Sequence, residues 1–295
     1  MRPEIRKIQE LMEAADYVTD APVATAMHLA MTLRKPLLIE GHAGVGKTEV
    51  AKVMARMLGT NLIRLQCYEG LDAAMALYEW NYQKQLLHIK LGETSNRSLD
   101  EKEREIFSEP FLLKRPLLQA ITQEASPVLL VDEIDRTEEE FEAFLLEIFS
   151  DWQITIPEVG TIKATHSPHV ILTSNRTREL SDALRRRCLY LWIDYPSFEK
   201  EVRIVARKVP GVNGRVAREI ARFMESLRAV RLSKVPGVAE TLDWAQALTT
   251  LHADHLDGEL VAETLGCVLK DADDMKRFKA EVASAGLARF IPLEG

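Results

Sequence analysis

The sequence predicts an α/β fold, an open five-stranded parallel sheet with helices on both faces, followed by a small all-helical region. Three observations predict it. Five short apolar runs alternate with segments of helical period. A glycine-rich loop separates the first run from the helix after it. Beyond Ser197 the strand signals stop and helical periodicity continues alone.

Each element has its own signal. Ile5, Ile8, Leu11 and Met12 recur at helical spacing within Pro3 to Ala15, and a turn-like stretch from Tyr17 to Pro22 precedes a second apolar helix from about Val23 to Leu33. Lys35 to Glu40 is a short apolar run bounded by Pro and Gly, which reads as a buried parallel strand. Glycines 41, 44 and 46 break it, and Thr48 to Leu58 resumes the helical pattern. Asn61 to Gln66 is the second strand. The excursion from about 67 to 123, with its charged run Leu99 to Glu105, is too long for a bare loop and predicts inserted helices or a hairpin. Pro127 to Asp132, His169 to Ser174 and Leu189 to Ile193 supply the other three strands. The expected organisation is an α/β core over 1–196 and a helical domain over 197–295.

Composition narrows the class. The 295 residues carry 38 Lys and Arg against 45 Asp and Glu, a formal net charge of −7, and are 46% hydrophobic. That apolar content argues against disorder, and an acidic balance argues weakly against a dedicated nucleic-acid binder. Charge is uneven: 200–234 holds ten basic residues against three acidic, whereas 235–295 holds five against eleven. The basic half is either a solvated helix face or a surface for a phosphate, a neighbouring subunit or an acidic client. Cys67, Cys188 and Cys267 are far apart, so reduced thiols are expected rather than a disulfide framework or a zinc site. The first residues lack a secretory leader's apolar stretch, and no run approaches 18 apolar residues, so a cytoplasmic protein without membrane insertion is expected.

The motifs give the chemistry. Gly41-His42-Ala43-Gly44-Val45-Gly46-Lys47-Thr48 fits GxxxxGK(S/T), a loop whose backbone N–H groups surround phosphates at a helix N-terminus. Lys47 would reach the β- and γ-phosphates of ATP and the Thr48 hydroxyl would bind Mg²⁺; Glu49 follows at the helix start. Val128 to Val131 leads into Asp132 and Glu133 at the carboxyl edge of the sheet. Asp132 would hold Mg²⁺ through water and Glu133 would polarise the attacking water. An acidic helix start gives a similar pattern, and the phosphate loop some 85 residues upstream favours the metal-binding reading. Asp135 and Glu138 to Glu140 read as helix-start acids. Asn175 ends the next strand, where an amide could hold the lytic water or simply make a turn. Arg185, Arg186 and Arg187 cannot all face one way on a helix; they are a solvated basic helix end or include a finger for a neighbour's phosphate.

The order of phosphate loop, Asp132-Glu133-Ile134-Asp135, strand-end Asn, basic cluster and helical lid resembles the AAA+ ATPases, P-loop NTPases. Asp132 to Arg136 is similar to the acidic motif of the MoxR group. Leu65 to Asp72, Leu180 to Cys188 and Pro236 to Trp244 resemble its CoxD-like branch, which accompanies carbon monoxide dehydrogenase and related molybdenum hydroxylases. The resemblance covers about Tyr17 to Phe290. It implies a homo-hexameric ring with ATP or ADP between subunits, Asn175 as sensor one, and Arg187 as arginine finger with Arg186 second. It implies Gln66 as a polar switch on Glu133 and Tyr17 with Val18 against adenine. The excursion after Cys67 resembles an insertion in helix two, and 152–169 the hairpin before sensor one; both act on clients in relatives. A von Willebrand A domain adaptor and a molybdenum hydroxylase client are the implied partners, nucleic acid not. One departure stands out: the position aligned with the family's sensor-two Arg is Thr241. Against the ring ATPase stand a nucleic-acid-remodelling AAA+ motor, a monomeric P-loop kinase of a small metabolite, and a nucleotide-gated scaffold with little hydrolysis.

Overall fold

A computed structural model describes residues 2–91 and 98–291. Its nine strands are β1 (Leu37–Gly41), β2 (Leu62–Gln66), β3 (Tyr78–Trp80), β4 (Leu112–Lys114), β5 (Val128–Asp132), β6 (Gln153–Ile156), β7 (Gly160–Lys163), β8 (His169–Ser174) and β9 (Leu189–Ile193). The five expected strands make one sheet in the order β2-β5-β8-β1-β9. Its pairings are parallel, with Gln66 opposite Asp132, Val131 opposite Leu172 and Leu38 opposite Leu172. Every residue of β1, β5 and β8 is buried, the pattern of strands covered on both faces by helices. This is why those runs are continuously apolar, whereas β2 at the edge alternates and tolerates Arg64.

The described residues fall into two compact units. One is drawn from Met1–Ile8, Pro22–Glu40 and Val50–Leu191, the other from Gln9–Ala21, Gly41–Glu49 and Trp192–Gly295. In the first, Leu38, Leu65, Leu129, Val131 and Leu172 of the sheet join Leu117, Leu118, Leu145 and Leu184 in one core. Its excursion holds the antiparallel pair β3–β4 and the helices Ala73–Leu77, Tyr82–Leu91, Leu99–Ile106 and Pro116–Ile121. Residues 92–97 of that excursion lie outside the described residues. β6 and β7 pair antiparallel, from Gln153 opposite Lys163 to Ile156 opposite Gly160.

The second unit contains the helices Phe198–Lys208, Gly214–Arg228, Val238–Thr250, Gly258–Thr264 and Ala272–Ala285. Ser197, Asn213, Asp257 and Asp271 cap four of them, each side-chain oxygen accepting a first-turn N–H. Phe223, Trp244, Phe278 and Phe290 form the aromatic centre of its core. The basic run is largely spent inside this unit. Lys200 pairs with Asp20 at 2.7 Å, Arg203 with Glu13 at 2.8 Å, Arg207 with Asp16 at 3.1 Å and Lys208 with Glu49 at 3.8 Å. No described helix is long and apolar enough to cross a membrane.

Candidate functional site

The candidate residues divide between the two units, and each group has its own geometry. In the first unit, β5 is flanked by β2 and β8, so the carboxylate at its end receives partners from both neighbours. Asp132 is buried at that end, and the chain then turns through Glu133, whose backbone is left-handed at φ 57° and ψ 49°. A non-glycine residue seldom adopts that conformation unless its surroundings hold it there. Thr173 on β8 does so: its hydroxyl donates to Asp132 Oδ1 at 2.5 Å and accepts the Glu133 N–H at 2.9 Å.

From β2, Arg64 donates to Asp132 Oδ2 through Nε at 2.9 Å and Nη2 at 2.6 Å. Nη2 also donates to Gln66 Oε1, and Gln66 Nε2 donates to Glu133 Oε2 at 3.2 Å. Arg136 lies 3.9 Å from the same oxygen. The two carboxylates thus differ in setting: Asp132 is fixed and buried, while Glu133 is half-buried, held by the Gln66 amide with Arg136 nearby. Cys67, buried beside this acidic cluster, has its thiol pushed up to about 12, first by burial and then by Asp132, Asp135 and Glu133.

Asn175 follows β8 directly, and its backbone is anchored by Asp135. Asp135 Oδ2 accepts the N–H groups of Asn175 at 3.1 Å and Thr177 at 2.8 Å, and the Thr177 hydroxyl at 2.8 Å. The arginines separate on the helix Asp182–Arg187. Arg185 turns towards the buried Glu40, 3.7 Å away, which also accepts from the Tyr190 hydroxyl at 3.0 Å. Arg187 Nη1 donates to Leu146 O at 3.0 Å and Ser150 Oγ at 3.1 Å, near the end of the helix Glu139–Asp151. Arg186 is exposed.

The second unit carries the phosphate loop. Gly44 at φ 74° and Gly46 at φ 93° turn the backbone through conformations that residues with a Cβ resist. Val45 between them is buried, and the loop closes into the helix Lys47–Leu58 with Thr48 in its first turn and Glu49 beside it. Lys47 Nζ donates to Gly41 O at 2.8 Å and His42 O at 2.6 Å, so a buried ammonium is held against its own loop. Left-handed glycines, an anchored Lys and a first-turn Thr together fit a polyphosphate with Mg²⁺. Val18 is buried and Tyr17 half-buried, its phenol raised by burial and then by Asp20 and Glu49. Ala43 lies next to the first of the left-handed glycines. Thr173 and Arg64 are contributors that sequence reasoning did not assign, and Asp135 reads there only as a helix-start acid; for the first two, a hydroxyl and a charge inside otherwise apolar strands were the available signals.

The chain is similar to known proteins along most of its length. The family model for the AAA domain (dynein-related subfamily) matches residues 36–188. An uncharacterized protein of Staphylococcus haemolyticus is 24% identical over 240 residues, spanning 79% of this chain and 82% of that protein. An uncharacterized protein of Staphylococcus aureus is 25% identical over the same shares. Among solved structures, a point mutant of Thermotoga maritima RuvB matches 97% of this chain and 81% of its own, with a TM-score of 0.51 at 18% identity. At that identity the likeness is one of fold.

Proposed function

Since the chain belongs to the AAA domain family, dynein-related subfamily, and so to the AAA+ ATPases, we propose that it hydrolyses Mg²⁺-ATP at the subunit interfaces of a homo-hexameric ring and uses the turnover to remodel a protein client. The observation that carries the reading is the pair at the end of β5, a buried, doubly anchored Asp132 followed by a left-handed Glu133 restrained through Gln66. Such a pair separates a fixed metal-side carboxylate from one that acts on water. In this reading 1–196 is the ATPase core and 197–295 its lid.

The residues act as follows. The loop Gly41 to Thr48 binds the phosphates, with Glu49 at the helix start and Tyr17 and Val18 against adenine. Thr48 and Asp132 would hold Mg²⁺, the latter through water, and the ion supplies charge neutralisation at the phosphates. Lys47 and, from a neighbouring subunit, Arg187 with Arg186 second neutralise charge developing on the transferred phosphoryl group. Glu133 takes up the proton of the attacking water and Asn175 orients that water.

The finer placement is the MoxR group and its CoxD-like branch. There the client would be a molybdenum hydroxylase needing late maturation of its metal centre, reached with a von Willebrand A domain adaptor in the cytoplasm. The β6–β7 pair and the insert with its β3–β4 pair are the elements that would press on the client.

Glu133→Gln tests the reading: it should bind ATP yet lose about 100-fold or more in turnover, the range of a lost general base. Near-normal turnover would sink the role of Glu133. The same variant with ATP serves as a trap in a pull-down. Recovery of a molybdenum enzyme subunit supports the client, and recovery of nucleic acid overturns it.

A further inference from the structure

Thr241, where the resemblance implies a sensor-two arginine in relatives, sits instead in a buried polar node. Thr241 is fully buried in the second unit. Its hydroxyl donates to Glu201 Oε1 at 2.7 Å and accepts from Arg228 Nη2 at 3.2 Å. Glu201 and Arg228 form a two-pronged ion pair at 2.6 and 2.7 Å with both side chains buried. Burial makes such a pair a weak source of net stability, but it fixes the guanidinium plane in one orientation.

That plane faces the phosphate loop through an aromatic ring. Arg228 lies over the Tyr195 ring, 4.8 Å from its centroid. The Tyr195 ring also stacks on His42, with centroids 4.7 Å apart and planes within 7° of parallel, and Trp192 meets His42 edge-on at 5.6 Å. His42 is the second residue of the loop. A buried pair in the helical core is thus joined to the loop by two ring contacts in series.

A backbone link runs beside it. Arg228 Nε donates to Pro236 O at 2.9 Å, which fixes the entry to the helix Val238–Thr250. The first two amides of that helix, Val238 and Ala239, donate to Gly44 O at 2.9 and 3.4 Å. The approach is so close that a Cβ on Gly237 would lie 2.8 Å from Ala43 O and from Gly44 Cα. The helix N-terminus, which elsewhere receives an anion, is here closed by a carbonyl of the phosphate loop.

We propose that Tyr195 and Arg228 are positioning residues that couple the phosphate loop to the helical lid, in place of a sensor-two arginine. Occupancy of the loop is transmitted through Gly44 O to the first turn of the helix Val238–Thr250, and through His42 and Tyr195 to the Arg228–Glu201–Thr241 node. The inference rests on the nucleotide-binding reading above, and coupling of this kind acts equally in both directions: what orders the lid tightens the nucleotide.

The test uses the full chain carrying Glu133→Gln, with hydrogen–deuterium exchange of the helix Val238–Thr250 and a fluorescence titration of ATP. ATP should slow exchange in the first turn of that helix. Tyr195→Ala should abolish most of this slowing and weaken ATP about tenfold, a value within the usual range of coupling between sites. Tyr195→Phe, which keeps the ring, should behave as the parent. His42→Ala, at a half-exposed side chain, should give the same loss, and the two alanine variants combined should lose less than the sum of both. His42→Ala alone carries the test where Tyr195→Ala does not fold. Full slowing in the alanine variants overturns the proposal, as does a Phe variant as defective as Ala. A parent chain that binds no ATP overturns the ATPase reading itself, a result read before any variant is compared.

Discussion

Arg64 sets two N–H groups on a single oxygen of Asp132, Oδ2, at 2.9 and 2.6 Å. The aspartate is buried and the arginine half-exposed, so the guanidinium supplies the counter-charge a buried carboxylate requires. A water bound to Mg²⁺ would have to donate to this same carboxylate, and Arg64 competes with it. Arg64→Gln should therefore lower the Mg²⁺ concentration that half-saturates ATP binding, by about threefold to fivefold, the size of a partly exposed ion pair. A Mg²⁺ titration of ATP binding in the Glu133→Gln background reads this without turnover. A higher or unchanged Mg²⁺ requirement would count against the competition.

Thr173 serves both acids with one hydroxyl, donating to Asp132 Oδ1 and accepting the Glu133 N–H. Thr173→Val keeps the shape but takes one partner from the buried Asp132 carboxylate and the acceptor from the Glu133 N–H, at a cost of about 1–3 kcal/mol. The left-handed turn at Glu133 would also lose its anchor, so turnover should fall about tenfold as well, on the scale of a misplaced catalytic group. Thr173→Ser should preserve both. Thermal melting and a phosphate-release assay check the pair of effects. A Val variant that melts and turns over like the parent would show that the hydroxyl anchors nothing.

How much of this the sequence disclosed follows from distance along the chain. β1, β5 and β8 are visible as continuous apolar runs because both faces are buried, and the phosphate loop is visible because its spacing is local. Arg64 and Thr173 act on Asp132 across 68 and 41 residues, and such pairing leaves no periodic trace. Asp135 reads as a helix-start acid, and it sits in the middle of the short turn Ile134–Arg136, which Glu133 precedes. Its carboxylate, however, holds the backbone after β8, 40 residues on, which only the strand order could bring within reach. The basic run over 200–234 likewise reads as a solvated helix face or a surface for a phosphate, a subunit or an acidic client, yet the acids that answer it include Glu13, Asp16 and Asp20, far upstream.

The arginine cluster makes separable predictions. Arg186 and Arg187 are both exposed, but Arg187 also satisfies Leu146 O and Ser150 Oγ near the end of a helix. Arg187→Ala should cost about 1 kcal/mol of stability in addition to turnover, since those hydrogen bonds are lost. Arg186→Ala should change stability by less than about 0.5 kcal/mol, as exposed substitutions do. If either arginine acts across a subunit interface, mixing its alanine variant with Glu133→Gln subunits should restore part of the turnover. Mixtures as inactive as their components would argue for sites contained within one chain.

His169 gives the protein a pH dependence that its location explains. It opens β8 with its side chain buried, and the Arg34 guanidinium lies 3.0 Å from Nε2, so the ring must accept there and stay neutral. Burial first, and the Arg34 charge second, hold its pKa down to about 4 against 6.5. Below pH 6.5 the unfolded chain takes a proton that the folded chain refuses. The contribution is therefore complete above 6.5 and drains away as pH falls towards 4. Between pH 7.5 and pH 5 it should remove about 2 kcal/mol from the unfolding free energy. Urea titrations at the two pH values, with His169→Gln as reference, measure the difference. The parent should lose about that much more than the Gln variant. Equal losses in the two proteins would mean that His169 is protonated as readily in the folded chain as in the unfolded one.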